Sequence, residues 1–394
     1  MKIDTKSMYF VPMVMMIVFT IHTSISFNAI ESTSASYLSL AITIMSFVVA
    51  LTLIIRAGNI SRLSLFAAFF LFLVETVSLV TDVAWKDWLY TIIDVALLMF
   101  LFHFYRGNLH PLLTGAVIGF SFCIYAQMYQ CITNPDMWLI MDEKTNVGYL
   151  LGGNYNSIGC RVLVALTTGI LSLKMSKWWW INLVPLMSSG IALLFMVQSM
   201  TSVTSILLMT LLCLLPNKNF QRLACFSIIA LFVLFEIFVC FQGKGFENND
   251  LARWFLIDVL GKDVTFTHRT NMWDAALRVI GESPIWGYGN VNEKWFISNM
   301  SSQAVGSHNF ILGILINGGI IGLGLYLYIF YIALCKLIAY NDFYSNVIFI
   351  GIASLCIMML MEYYPVQFPF YLFTLAYYYE QITEATVKKT SRHD

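Results

Sequence analysis

Twelve times between residues 9 and 380 the chain settles into a stretch close to 20 residues long and almost wholly apolar. In lipid no water pairs the backbone amides and carbonyls of such a stretch, so each one is constrained to be a helix that crosses the bilayer. The stretches cover approximately residues 9–27, 37–55, 63–80, 89–105, 111–131, 156–173, 178–197, 200–215, 223–241, 307–335, 346–361 and 366–380. Several are short, and only a turn separates the seventh from the eighth. Composition agrees: 59% of the 394 residues are hydrophobic, 11% are charged, and the mean hydropathy of +0.75 is far from that of an ordinary soluble domain. The sequence predicts an all-α polytopic membrane protein of about 12 transmembrane helices. It reads as a single integral membrane domain over residues 1–394, with no repeat, low-complexity tract or linker. The first apolar run lacks a small-residue cleavage signature after it and is expected to be a retained span.

Charge orients the bundle. The 22 basic and 22 acidic residues cancel, which argues against nucleic acid as a partner and against a polybasic lipid anchor. With both termini cytoplasmic, Lys2, Lys6, Arg56, Arg62, Arg106, Lys174, Lys177, Lys218, Arg222, Lys336, Lys388, Lys389 and Arg392 all fall inside. The short outer loops then hold only Lys86 and Lys144, Arg161 sits within a span, and the long segment 242–306 carries the rest. Long segments translocate regardless of charge, so this is the expected bias. One large extracytoplasmic loop, 242–306 between spans nine and ten, and a smaller one near 132–155 are where function is expected. The eight cysteines lie singly in or beside apolar segments, without C-x-x-C or Cys/His clustering, and read as packing residues.

Residues 306–330, GSHNFILGILINGGIIGLGLYLYIF, place a histidine and an asparagine at the lip of a glycine-dotted apolar span. Helical phase puts His308 and Gly319 within about 20° of one face, with Gly322 close by, so the ring is expected to face the bundle interior. There it would serve as a general base or hydrogen-bonding group at the floor of an outward-facing cavity; the alternative is an interfacial ring in headgroup water. Upstream, THRTNMWDAALRVIGESPIWGYGN (267–290) predicts a short amphipathic helix from about Arg269 to Glu282, its packed stripe formed by Trp273, Ala276, Leu277 and Ile280. Arg269 shares that stripe, whereas Arg278 lies about 180° round and reads as solvent-facing. A guanidinium suits phosphate oxygens because it stays charged and offers a planar fork. GGNYNSIGCRVLVAL (152–166) brings an asparagine-bearing turn into span six and puts Arg161 below the surface, where it either faces a cavity or snorkels to the interface. Glu75 and Asp94 lie within spans, with Asp82 and Asp87 in the loop between them. Two aspartates five residues apart make a weak metal site, and structural pairing is the plainer expectation.

The order of these features resembles the O-antigen polymerase and ligase superfamily: R-x-x-x-W-x-x-A (Arg269, Trp273, Ala276), then P-x-x-G-x-G (Pro284, Gly287, Gly289), then H-N-x-x-L (His308, Asn309, Leu312) opening a glycine-rich span. The topology corresponds along nearly the whole chain, the motifs over about 40 residues. Order and membrane placement carry the resemblance, not any one motif. It implies a bacterial multi-pass protein of the cytoplasmic (inner) membrane, a glycosyltransferase whose donor is an undecaprenyl-diphosphate-linked oligosaccharide. It also implies metal-independent, inverting transfer on the outer face, with no cofactor. His308 and Arg269 would be catalytic; Arg161, Asn156, Asn309 and Arg278 would bind substrate. Expected partners are the lipid-linked oligosaccharides, membrane lipids, a flippase and a chain-length regulator, and no nucleic acid. One departure is that the turn between spans seven and eight, QSMTSVTS (198–205), lacks the Ser-Arg usual in the ligases. A repeat-unit polymerase for capsule, exopolysaccharide or O-antigen is the first expectation, a ligase with another acceptor the second, and a lipid-linked oligosaccharide flippase or transporter the third.

Overall fold

The computed structural model describes residues 5–27, 33–139, 148–152, 155–248, 250, 254, 269–300 and 306–383. Lys2, Lys144, Lys388, Lys389, Arg392 and much of the loop 242–306 lie outside the described residues. Each of the twelve apolar stretches is a helix: α1 Thr5–Ser24, α2 Thr33–Ala57, α3 Arg62–Thr81, α4 Trp85–Phe104, α5 His110–Thr133, α6 Ile158–Ser172, α7 Trp180–Met196, α8 Met200–Leu214 and α9 Lys218–Phe238. Two loop helices follow, α10 Arg269–Glu282 and α11 Glu293–Asn299. The last three apolar helices are α12 Phe310–Ile338, α13 Phe343–Met359 and α14 Gln367–Tyr377. Seven helices among the described residues are long and apolar enough to span a bilayer, and α6, α8 and α13 are shorter apolar helices. The protein is an all-α polytopic membrane protein.

The seventh and eighth stretches are separate helices because Gln198 takes a left-handed φ of 53° and turns the chain sharply between them. Burial sorts the bundle. α5, α6, α12, α13 and α14 are packed on most sides, while α2 and α9 expose faces of Leu, Ile, Val and Phe suited to lipid. At one end of the bundle Asp342 caps α13 through Tyr344 N and Ser345 N and also holds the Tyr379 hydroxyl, while the Lys174 ammonium lies 4.8 Å from the Tyr379 ring. The opposite end carries α10, α11 and a polar cavity.

α12 is not continuous. Gly319 (φ 59°, ψ −161°) breaks it, freeing carbonyls one turn above and amides below. Residues 284–289 fill the break: Tyr288 N and Gly289 N donate to the Ile316 and Asn317 carbonyls at 2.7 and 2.9 Å, and Ile320 N donates to the Pro284 carbonyl at 2.9 Å. Every strand-like bond so made replaces one the helix lost, which is how irregular backbone is tolerated at membrane depth. The same turn rests on α3, where Asn290 N donates to Ser78 Oγ (2.7 Å) and Thr81 Oγ1 donates to the Tyr288 carbonyl (2.8 Å). The phase expectation for His308 is corrected here. His308 precedes the helix, whose N-cap is Asn309, and Gly319 ends the first helical segment, so the two share no helical face. The glycine nevertheless admits a neighbouring backbone: a Cβ there would collide with the Ile285 carbonyl.

Candidate active site

Three segments far apart in sequence meet at the cavity. α10 packs down through Thr270, Trp273, Ala276 and Val279, with Trp273 fully buried edge-on to Phe235 of α9 at 6.2 Å. The Trp273 indole N–H reaches the His308 carbonyl at 3.4 Å, so the helix that carries Arg269 is tied to the residue before α12. His308 itself has φ 46°, a region that non-glycine residues seldom occupy and that must be held by its surroundings. Its neighbours hold it. Asn309 accepts the Leu312 amide at 2.9 Å as the N-cap and donates from Nδ2 to Glu236 Oε1 at 2.8 Å and to the Leu360 carbonyl at 3.2 Å. Ser307 Oγ donates to the Asn309 carbonyl at 2.8 Å.

Glu362, in the turn between α13 and α14, joins the groups. Its Oε1 accepts from Arg269 Nη2 at 3.0 Å and from Asn156 Nδ2 at 2.9 Å, and its Oε2 lies 3.2 Å from His308 Nδ1. The Arg269, His308 and Glu362 side chains are 15–25% exposed, so they are sheltered from bulk solvent. Arg269 Nε is buried with no hydrogen-bond partner among the described residues, a donor left over after the Glu362 contact. The adjoining cavity, about 490 Å³, is lined by Tyr155, Asn156, Glu293, Phe296, His308, Asn317, Glu362 and Tyr363 among others. That volume suits a small polar ligand or one end of a larger one. Burial pushes the Tyr363 hydroxyl above the ordinary tyrosine range, so it remains a neutral donor.

Of the residues singled out in the sequence, Arg269, His308 and Asn156 come together on Glu362. Asn309 is fully buried beneath them and caps α12. Arg161 is elsewhere: its guanidinium is buried, donating from Nε to the Ser24 carbonyl (3.0 Å) and from Nη1 to the Ser157 carbonyl (2.7 Å), over the Phe368 ring at 4.6 Å. It fastens the start of α6 to the end of α1 and does not line the cavity. Arg278 is exposed on the far side of α10. Among the acids, Asp94 lies 3.3 Å from His22 Nδ1 and Glu75 is buried in α3. Glu362 went unremarked in the sequence. One signal was there: it is the sole acidic residue between Asp342 and Glu380, set directly after an apolar span.

The fold and cavity define a polytopic membrane protein with a pocket at one end of its bundle, lined by a histidine and a glutamate to which an adjoining arginine is paired. Residues 157–327 match the family model described as O-antigen ligase. This segment runs from the lip of α6 into the second half of α12 and contains Arg161, Arg269, Arg278, His308 and Asn309, but neither Asn156 nor Glu362. The resemblance to the O-antigen polymerase and ligase superfamily thus stands on that segment, and at the family level it supports an enzyme of the glycosyl-transfer type. No curated protein matches the chain.

Proposed function

We propose that the protein is a polysaccharide polymerase joining undecaprenyl-diphosphate-linked oligosaccharide repeat units on the outer face of the bacterial cytoplasmic membrane. Capsule, exopolysaccharide and O-antigen are the products of such a reaction, and a flippase and a chain-length regulator its natural partners. The observation that carries the reading is the meeting of Arg269, His308 and Asn156 on Glu362 at 2.9–3.2 Å beside a polar cavity. Glycosyl transfer from a diphosphate donor needs two things: a base for the acceptor hydroxyl and a positive charge for the departing anion.

The cluster supplies both. With His308 Nδ1 directed at Glu362, Nε2 is the nitrogen left for the acceptor; the tautomer follows from the carboxylate contact. The acceptor hydroxyl gives its proton to Nε2 while its oxygen bonds to the donor's anomeric carbon. The anomeric C–O bond to phosphate breaks in the same displacement, its electron pair leaving with the diphosphate, and the configuration inverts. Arg269 receives the diphosphate through the guanidinium hydrogens that Glu362 does not occupy. Its guanidinium carries the charge stabilisation that a divalent ion would otherwise give. The apolar length of α12 walls the polyprenyl tail. Transfer of finished glycan to a different acceptor is the second reading, favoured by the description of the matched model as a ligase.

Incubating the purified protein with a defined lipid-linked repeat unit tests this. A ladder of lengths supports polymerisation, a single product on an added acceptor supports ligation, and no glycosidic product from either removes the proposal.

A further inference from the structure

Beside the charged cluster, the cavity contains a fixture that base and diphosphate chemistry leave unused. The Tyr363 ring is held on three sides by successive turns of α12. Phe310 stacks on it with centroids 5.4 Å apart and planes 21° from parallel, Gly313 leaves room for its edge where a Cβ would collide, and Asn317 Nδ2 donates to its hydroxyl at 3.0 Å. Helix-interior glycine costs about 1 kcal/mol relative to alanine, and a buried amide in an apolar helix needs a partner, so the ring is positioned at some expense. What it presents to the cavity is aromatic surface next to His308 and Glu362, with Tyr155 and Phe296 also in the wall and the Asn156 and Asn317 amides between. Aromatic surface flanked by amides is what the C–H face and hydroxyl rim of a pyranose ring require.

Charge narrows the class. The Glu362 carboxylate is matched by Arg269, but Glu293 at the exposed wall has no cation within ion-pair distance among the described residues. A carboxylate on the bound sugar would meet like charge there.

We propose that this part of the cavity is the acceptor-sugar subsite, with Tyr363 as stacking platform and Glu293 as selector, and that it takes a pyranose without a carboxylate, either neutral or amine-bearing. This rests on the glycosyl-transfer reading. Its test reads binding instead of transfer: saturation-transfer NMR on the full-length protein in lipid nanodiscs with methyl glycosides of glucose, galactose, N-acetylglucosamine, glucosamine and glucuronic acid. At least one neutral or amine-bearing glycoside is expected to receive saturation, and glucuronide little. Tyr363→Phe should keep the signal, Tyr363→Ala should weaken binding about tenfold for want of the ring face, and Glu293→Lys should admit the glucuronide. The Phe variant and the surface-located Lys variant separate loss of binding from loss of fold. Preference of the wild type for glucuronide, saturation of none of the panel, or indifference to Tyr363→Ala overturns the subsite. A saturated sugar with no product in the ladder assay would instead remove the transfer reading and the acceptor role with it, and leave a pyranose-binding site on Tyr363.

Discussion

Glu362 turns three polar residues into one device, and its substitution should show as much. Glu362→Gln keeps a hydrogen-bonding side chain of the same length but removes the charge that Arg269 and His308 share. Elongation should fall about 10- to 100-fold, the usual cost of losing a group that orients a catalytic one. Because Glu362 acts in part through His308, the double variant His308→Ala/Glu362→Gln should lose less than the product of the two single defects; full multiplication would show that they act separately. Arg269→Ala should abolish elongation and Arg269→Lys impair it, since an ammonium lacks the fork needed to hold Glu362 and a phosphate oxygen together. Arg278→Ala, on the exposed side of α10, should leave most of it, as ladders from equal amounts of membrane protein would reveal. Arg161→Ala belongs to another kind: it takes the guanidinium donor from the Ser24 carbonyl and one of the donors from the Ser157 carbonyl, so a lower melting temperature is expected. Sequence reasoning reached Arg269 and His308 because a charge on a packed stripe, or at the lip of a span, is locally anomalous. It passed over Glu362 because an acid at the end of an apolar run looks like ordinary interfacial polarity until the other two residues are seen on it.

At the scale of elements, the break in α12 explains the P-x-x-G-x-G stretch. Gly287 and Gly319 both have positive φ and lie backbone to backbone, with Gly287 against Ile316 and Asn317, and Gly319 against Ile285. The bonds between residues 284–289 and 316–320 also fix the distance from α10, which carries Arg269, to α12, which His308 precedes. Gly319→Ala should therefore cost the strain of a left-handed alanine, about 1–3 kcal/mol, plus displacement of the Ile285 carbonyl, and lower both melting temperature and elongation. Gly324→Ala is the control. That glycine lies in regular helix with nothing within 4 Å of an added Cβ, so the same substitution should be neutral or raise stability by up to ~1 kcal/mol. Equal destabilisation by both would mean that the break contributes nothing particular. The helices themselves were legible to within a few residues, because burial in lipid imposes a long apolar run on each one. The break was not: apolar periodicity continues through Gly319, and the groups that replace the lost helical bonds come from about 30 residues upstream.

For the whole molecule, the question is which end of the bundle faces outward. All the site's parts gather at one end: the turn at Glu362, α10, α11 and the lip of α12. The other end gathers Arg56, Arg62, Arg106, Lys174, Lys177, Lys218, Arg222 and Lys336, which the fold brings to one level although they are spread over 280 positions. Positive residues are retained on the cytoplasmic side during insertion, so the proposed function expects the cavity outside, where a lipid-linked glycan already carried across the membrane would meet it. The expectation can be checked without any substrate. Single cysteines at exposed positions, Arg278→Cys and Ser298→Cys at the cavity end and Lys177→Cys and Lys218→Cys at the basic end, would be introduced into a chain whose exposed Cys335 has been replaced by serine. A membrane-impermeant maleimide applied to intact cells should modify the first pair and spare the second until the cells are opened. Labelling of the basic-end pair in intact cells would put the cavity in the cytoplasm. Arg269 and His308 would then face a compartment from which outer-face polymerisation is excluded, and the proposed reaction would fall with the orientation.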